Sequence, residues 1–276
     1  MSARVEADEH RIRLTLHYDG SGFAGWQVQP GRRTVQSELE AALLRLTGRS
    51  TRALAAGRTD AGVHATGQVA GVVVPQRWDS QELRRALNEV LPRDIWVADA
   101  READPGFHAR YHAVARGYMY RLGTADSARS PFVRRWCWPL ARPLPLDRLN
   151  DAAARFLGEH TFRAFAKAGQ AHRGERCTVH QAQWRESKTC VTFHIVANRF
   201  LHHMVRYMVG TMVEVALRRR PVTDVDALLR GEPGMVTSRP APPDGLYLTR
   251  VFYEAPHGAD MNEQWSTGDA ADEIFS

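Results

Sequence analysis

The chain has 276 residues, 43% hydrophobic and 25% charged, which is ordinary globular usage and excludes a disordered chain or a fibre. Basic residues exceed acidic ones by 37 to 31, a formal net charge of +6, and no repeat period is visible. Apolar runs such as VAGVVV at 69–74 fall far short of the roughly 20 residues a membrane span needs. The charged start, MSARVEADEH, lacks the apolar stretch of a secretory signal, so a cytoplasmic protein with no membrane partner is expected. Cys137, Cys177 and Cys190 form no CxxC pair, which excludes disulfide scaffolds and zinc ribbons.

In chain order, residues 11–18 alternate apolar Ile12, Leu14, Leu16 and Tyr18 with polar neighbours, the pattern of a strand with one buried face. Thr34 is placed to cap a helix carrying Val35, Leu39, Leu43 and Leu46, and Gly48 to end it. A short strand from Arg52 runs into Gly57, residues 68–74 read as a strand buried on both faces, a helix spans Asp79 to Leu91, and residues 94–98 alternate again. The second half repeats the theme: a strand at 111–122, a helix capped by Asp147 and running to Gly158, and two strands flanking Ser187 and Lys188 as a hairpin. A long helix from Arg199 to Arg218, a short one at 224–230, a Pro-rich loop and a last strand at 246–253 complete the series.

The fold class expected is α+β, two related domains, each a mostly antiparallel or mixed sheet with helices on one face and with a basic cleft between them as the natural place for a site. The boundaries read are 1–106, 107–255 and an acidic, disordered tail at 256–276.

Residues 254–276 hold six acidic side chains and no Lys or Arg, so the body is more basic than the whole. All the basic residues except Lys167 and Lys188 are arginine, which suits planar contact with phosphate and is equally what a GC-rich genome encodes. The net charge itself favours a polyanionic partner. Arg218, Arg219 and Arg220 at the end of the long helix suit either its C-terminal dipole or a phosphate.

Chemistry concentrates in AAGRTDAGVHATGQV, residues 55–69. Gly57 and Gly62 bracket Arg58, Thr59 and Asp60, a loop able to present a carboxylate with a guanidinium two residues before it. Such a carboxylate can attack a sugar C1′ or stabilise an oxocarbenium-like centre, or it can be one half of a surface ion pair. An arginine on an apolar helix face, as Arg206 is, is costly unless paired. Twelve histidines do not imply a metal: His202 and His203, read as adjacent residues of a helix, point about 100° apart. Met204, Met208 and Met212 read as core.

The string AGRTDAGVHATGQV resembles the catalytic signature of the TruA family of tRNA pseudouridine synthases. YDGSGFAGWQ at 18–27, TVQSELEAAL at 34–43, LNEVLPRDIWV at 87–97, FHARYHAVARGYMYR at 107–121, GEHTFRAF at 158–165, ANRFLHHMVRYMVGTM at 197–212 and APPDGLYLTRVFY at 241–253 resemble its other blocks in order and spacing. The resemblance covers residues 11–253, and departs where many relatives carry an aspartate at the position of Thr161.

It implies a pseudouridine synthase fold, with Asp60 as nucleophile, Tyr118 stacking on the uracil and able to take its C5 proton, and Arg206 paired with Asp60. Arg58 would fill the place of the flipped nucleotide and Leu246 would line the pocket, while Thr59, His64, Gln68, Arg110 and Asn198 complete the RNA-binding set. Tyr120 is left as core. The implied reaction isomerises uridine at positions 38, 39 and 40 of the tRNA anticodon arm by base flipping, with no cofactor or metal, in a homodimer. The other readings are a non-catalytic tRNA-binding or chaperone module, which tolerates loss of Asp60, and a glycoside hydrolase, which needs a second acid that no motif supplies.

Overall fold

The computed structural model describes residues 8–167, 174–186 and 190–256. The turn at Ser187 and Lys188 and nearly all of the acidic tail lie outside them. The chain divides into two compact units, the first built from residues up to Val114 and from Leu248 onward, the second from Ala115–Tyr247.

In the first unit, β1 (Glu9–Tyr18) is the centre of an antiparallel sheet, with β3 (His64–Pro75) on one side and β4 (Ile95–Ala103) on the other. The alternation seen in β1 sorts its two faces. Ile12, Leu14 and Leu16 are fully buried, while Thr15, opposite Val69, faces a smaller cluster of Ala56, Val69 and Ala109 closed by Phe107, Val251 and Tyr253. The short β2 (Leu54–Ala55) pairs with β3. Helix α1 (Val35–Thr47) begins at Thr34, whose hydroxyl accepts the Ser37 N–H in a capping box, and ends at Gly48 in the left-handed region. Helix α2 (Ser80–Val90) is capped by Asp79, which accepts from Gln81 and Glu82. Asn88 of α2 binds both backbone groups of Val97 in β4, donating to its oxygen (3.0 Å) and accepting from its N–H (2.8 Å).

The second unit repeats that device. Its sheet runs β5 (Ala115–Gly123), β9 (Cys190–Ala197), β8 (Arg176–Glu186), β7 (Gly158–Thr161), all antiparallel. A two-residue strand, β6 (Trp138–Pro139), lies parallel to β5. Helix α3 (Leu146–Ala154) packs on β8, and its Asn150 binds both backbone groups of Trp184 at 2.8 and 3.1 Å. Helices α4 (Met204–Ala216) and α5 (Thr223–Arg230) follow. No helix among the described residues is long and apolar enough to cross a membrane.

Several boundaries depart from the sequence reading. The first unit claims residues 107–114 and takes back the chain from Leu248, because the Phe107 ring packs on Tyr253 (5.2 Å) and Val114 N–H donates to Phe252 O. Strand β5 starts at Ala115 rather than 111. Asp147 does not cap α3: Pro145 holds that position and Asp147 sits in the first turn. Helix α4 starts at Met204 rather than Arg199, because His203 adopts φ 64° and breaks the helical path. His202 and His203 therefore precede the helix, their rings 4.2 Å apart, and the helical argument for keeping their side chains apart does not hold. The last strand, β10 (Leu246–Phe252), gives Leu246 and Tyr247 to the second unit and the rest to the first.

Helix α4 ends in a Schellman motif, with Arg218 N–H donating to Val215 O and Arg219 N–H to Glu214 O. The residue in the left-handed position is Arg218, at φ 58°, where glycine is the unstrained choice. Arg218→Gly is expected to stabilise the fold by about 1 kcal/mol, read as a higher urea midpoint at unchanged slope.

His194, in β9, is 2% exposed, with Nε2 2.9 Å from Thr192 Oγ1. Burial lowers its pKa to about 3 from an ordinary 6.5, and Arg185 adds to the effect. The unfolded chain takes up a proton as pH falls through 6.5 and the folded chain does not. The contribution of His194 is thus complete above 6.5 and is lost as pH drops toward 3, at up to about 1.4 kcal/mol per pH unit. His194→Gln is expected to flatten that slope by one proton in urea titrations between pH 7.5 and 4.5.

Candidate active site

Asp60 lies in the loop between β2 and β3, and the neighbouring chain fixes that loop by its backbone. Trp26 N–H donates to Thr59 O (3.0 Å), Gly62 N–H to Phe23 O (3.3 Å) and Val63 N–H to Asp60 O (3.2 Å). Two glycines of YDGSGFAGW make the approach possible: a Cβ at Gly20 would stand 2.0 Å from Val63 O, and one at Gly25 2.6 Å from Thr59 O.

A buried polar cluster supports the loop from beneath. Thr59 is 6% exposed and its hydroxyl lies 2.8 Å from the Tyr18 phenol. Gln68 donates to Gly57 O (2.8 Å) and to the Tyr18 oxygen (3.4 Å). Burial raises the Tyr18 pKa to about 12 against the pull of Thr59 and Gln68, so the phenol keeps its proton at any working pH. His64 Nδ1 accepts the Gly20 N–H at 3.1 Å and lies 3.3 Å from Asp19 Oδ1. Burial works against the Asp19 charge, but the nearby His64 and the hydrogen bonds from Ser21 outweigh it and hold that carboxyl well below its usual range. What remains on the outer side of the loop is Arg58 and Ala61, both exposed, and a partly exposed Asp60.

In the second unit, Tyr118 of β5 is 8% exposed, with Phe200 edge-on to its ring at 4.9 Å. Tyr120, two residues on, is fully buried, its hydroxyl donating to Pro242 O (2.9 Å). Burial pushes its pKa well above 10, Arg206 opposing the rise. Arg206 is clamped to Ala241 through its side chain and its backbone: Nε donates to Ala241 O (2.7 Å), and Ala241 N–H donates to Arg206 O (2.9 Å). Gly210, one turn further along α4, lets that segment lie close, since a Cβ there would stand 2.1 Å from Arg239 O. Leu246 is 5% exposed at the start of β10.

A family model described as tRNA pseudouridine synthase matches residues 15–112 and 152–254. A chain named tRNA pseudouridine synthase A from Moorella thermoacetica is 44% identical over 246 residues, covering 88% of this chain and 99% of its own. The chain belongs to the TruA family of tRNA pseudouridine synthases. Chains of the same name from Geobacillus sp. (38% identical, 88% of this chain and 98% of that one) and Methylococcus capsulatus (40%, 90% and 91%) agree.

As a pseudouridine synthase the protein is an isomerase, and its residues divide between display and support. His64 and Gln68, expected to touch RNA, are 1% and 0% exposed. Their bonds to Gly20 and Gly57 are internal and help to hold the loop. Asn198 also works internally, its Oδ1 accepting the Thr178 N–H (2.9 Å). Arg110 stays partly exposed, its guanidinium 6.0 Å from the Tyr111 ring centre. Sequence reasoning missed Tyr18, which ended an alternating strand and read as core, and Ala241, which contributes only backbone atoms. The GxGxxG spacing of Gly20, Gly22 and Gly25 was the one available signal for the first.

Proposed function

We propose that this synthase isomerises uridines 38, 39 and 40 in the anticodon stem-loop of tRNAs. The observation that carries the reading is the loop at Asp60: backbone bonds to Phe23 and Trp26 and the buried Tyr18, Thr59 and Gln68 fix it in place, and Asp60 itself is partly exposed. The target base leaves its stack, Arg58 occupies the vacated place, and Leu246 walls the pocket. Asp60 acts on the sugar, either attacking C1′ or removing the C2′ proton, so that the C1′–N1 bond breaks. The uracil turns over and rejoins through C5, and the C5 proton is given up to Tyr118 or to water. Arg206 keeps Asp60 ionised and oriented. The isomerisation balances without an oxidant or a second substrate, so the chain's own residues suffice for each step. The working unit is a homodimer.

The test is tritium release from tRNA transcripts labelled at uridine C5, with EDTA present and with single uridine substitutions at 38, 39 and 40. Release that falls stepwise as the three uridines are replaced supports the reading. Release from none of them overturns it.

A further inference from the structure

The far end of α4 carries features that the catalytic reading leaves unused. A concavity of about 280 Å³ in the second unit is lined by Arg129, Arg142 and Arg219 around Trp138, with Glu214 the one acid among its lining residues. Glu214 is engaged with Arg219 at 3.0 Å, and Arg129 reaches only a loose, exposed contact with Asp126 at 3.6 Å. Among the described residues the side chains of Arg142 and of the adjoining Arg218 have no hydrogen-bond or ion-pair partner, and both are exposed.

The backbone here is strained as well as basic. Three non-glycine residues among those described have positive φ, and two of them are at this spot: Ala141, which lines the concavity, and Arg218, between lining residues Leu217 and Arg219. Strain of this kind persists where the conformation serves something other than stability. Glycine would end the helix more comfortably than Arg218 and would remove a charge. A dipole role for the arginines accounts for positive charge near the helix end but not for Arg129 and Arg142, which come from a different segment. Along α4 at about 1.5 Å per residue, Leu217 lies roughly 16 Å from Arg206, a separation that reaches phosphates several nucleotides from the reacting uridine.

We infer that the concavity at the C-terminal end of α4 is a second RNA contact, in which Arg129, Arg142 and Arg218 hold the phosphodiester backbone of the substrate away from the reacting nucleotide. The inference rests on the substrate being an RNA. Its residues bind and position; they do not touch the reacting atoms.

The experiment compares wild type with the triple variant Arg129→Ala, Arg142→Ala, Arg218→Gly, titrating a full-length tRNA transcript at several salt concentrations and measuring tritium release at saturating tRNA. Expected are a tenfold or greater rise in Kd, a fall of about two in the slope of log affinity against log salt, and unchanged kcat. The Arg218→Gly single variant, expected to melt higher, shows that lost affinity is not lost folding. Unchanged Kd and salt slope overturn the inference, as does a fall in kcat without a change in Kd. A gain in wild-type melting temperature with inorganic phosphate that the variant loses, at equal tRNA affinity, also overturns it by assigning the concavity to a small anion. Wild type that binds tRNA and releases no tritium defeats the proposed catalysis, while the binding comparison still decides this inference.

Discussion

Asp60→Asn is expected to abolish tritium release, lowering kcat by about 10⁴-fold or more, equivalent to at least about 5 kcal/mol of transition-state stabilisation. The substitution keeps the shape of the side chain and removes its charge, the property that the proposed chemistry on the sugar requires. The loop has independent support in the Trp26–Thr59, Gly62–Phe23 and Tyr18–Thr59 bonds, none of which uses the carboxylate. Stability should therefore stay within about 1 kcal/mol of wild type. Affinity for tRNA should persist within a few-fold, since the loss of an acid does not weaken attraction to a polyanion. A variant retaining a tenth or more of wild-type release sinks the assignment of Asp60. Equal and negligible release from both proteins, with tRNA still bound, puts the non-catalytic RNA-binding reading in front.

Gly210→Ala is expected to destabilise the second unit by about 3 kcal/mol and to cut activity by a further ten- to hundredfold under conditions where the protein remains folded. The added methyl would stand 2.1 Å from Arg239 O and 3.2 Å from Arg239 C, backbone atoms that cannot swing aside as a side chain can. The segment at 239–241 must then lift from α4. Both bonds between Arg206 and Ala241 depend on its being close, so the guanidinium loses the anchor that sets its direction. The neighbouring Thr211→Val supplies the control. Thr211 is fully buried, with a hydroxyl that has no hydrogen-bond partner among the described residues, and replacing that hydroxyl with a methyl of equal size should be neutral or stabilising. Urea midpoints and kcat, measured for both, decide the matter. Wild-type kcat in Gly210→Ala would separate Arg206 orientation from activity and overturn this role for the clamp.

Legibility in the sequence followed the range of the interactions. Helix α1 was readable to the residue at both ends because Thr34 and Gly48 act on their own neighbours. Strand β3 was readable only from 68 onward. His64, Ala65, Thr66 and Gly67 carry no apolar pattern, and position 67 needs a glycine because a Cβ there would meet Thr249 O at 1.9 Å, a contact with a residue far along the chain. The start of α4 was misread because Leu201 falls at helical spacing from Val205 and Met208. His203 turns left-handed, and His202 O accepts the Lys167 N–H from a loop 35 residues earlier. Within the candidate site, the loop that carries Asp60 between its flanking glycines was legible because a loop motif is local. The burial and internal bonds of His64 and Gln68 were not legible, because polar residues that build a loop and polar residues that touch a ligand look alike until burial is known. The Ala241 anchor left no trace at all, since any residue but proline offers the same two backbone groups.

The path of β10 bears on how the protein is made. Residues 248–252 lie with the first unit, where the backbone at Thr249 approaches Gly67 of β3, yet they are synthesised after every residue of the second. A nascent chain leaving the ribosome therefore cannot finish its first unit in order of synthesis. The N-terminal portion must wait with one flank of β3 open, a pairing surface for any other strand nearby, until the whole of the second unit has emerged. Production of this enzyme is thus sensitive to interruption late in the message: a ribosome that stalls after Tyr247 releases a chain that has the Asp60 loop and lacks the strand that closes the sheet beside β3.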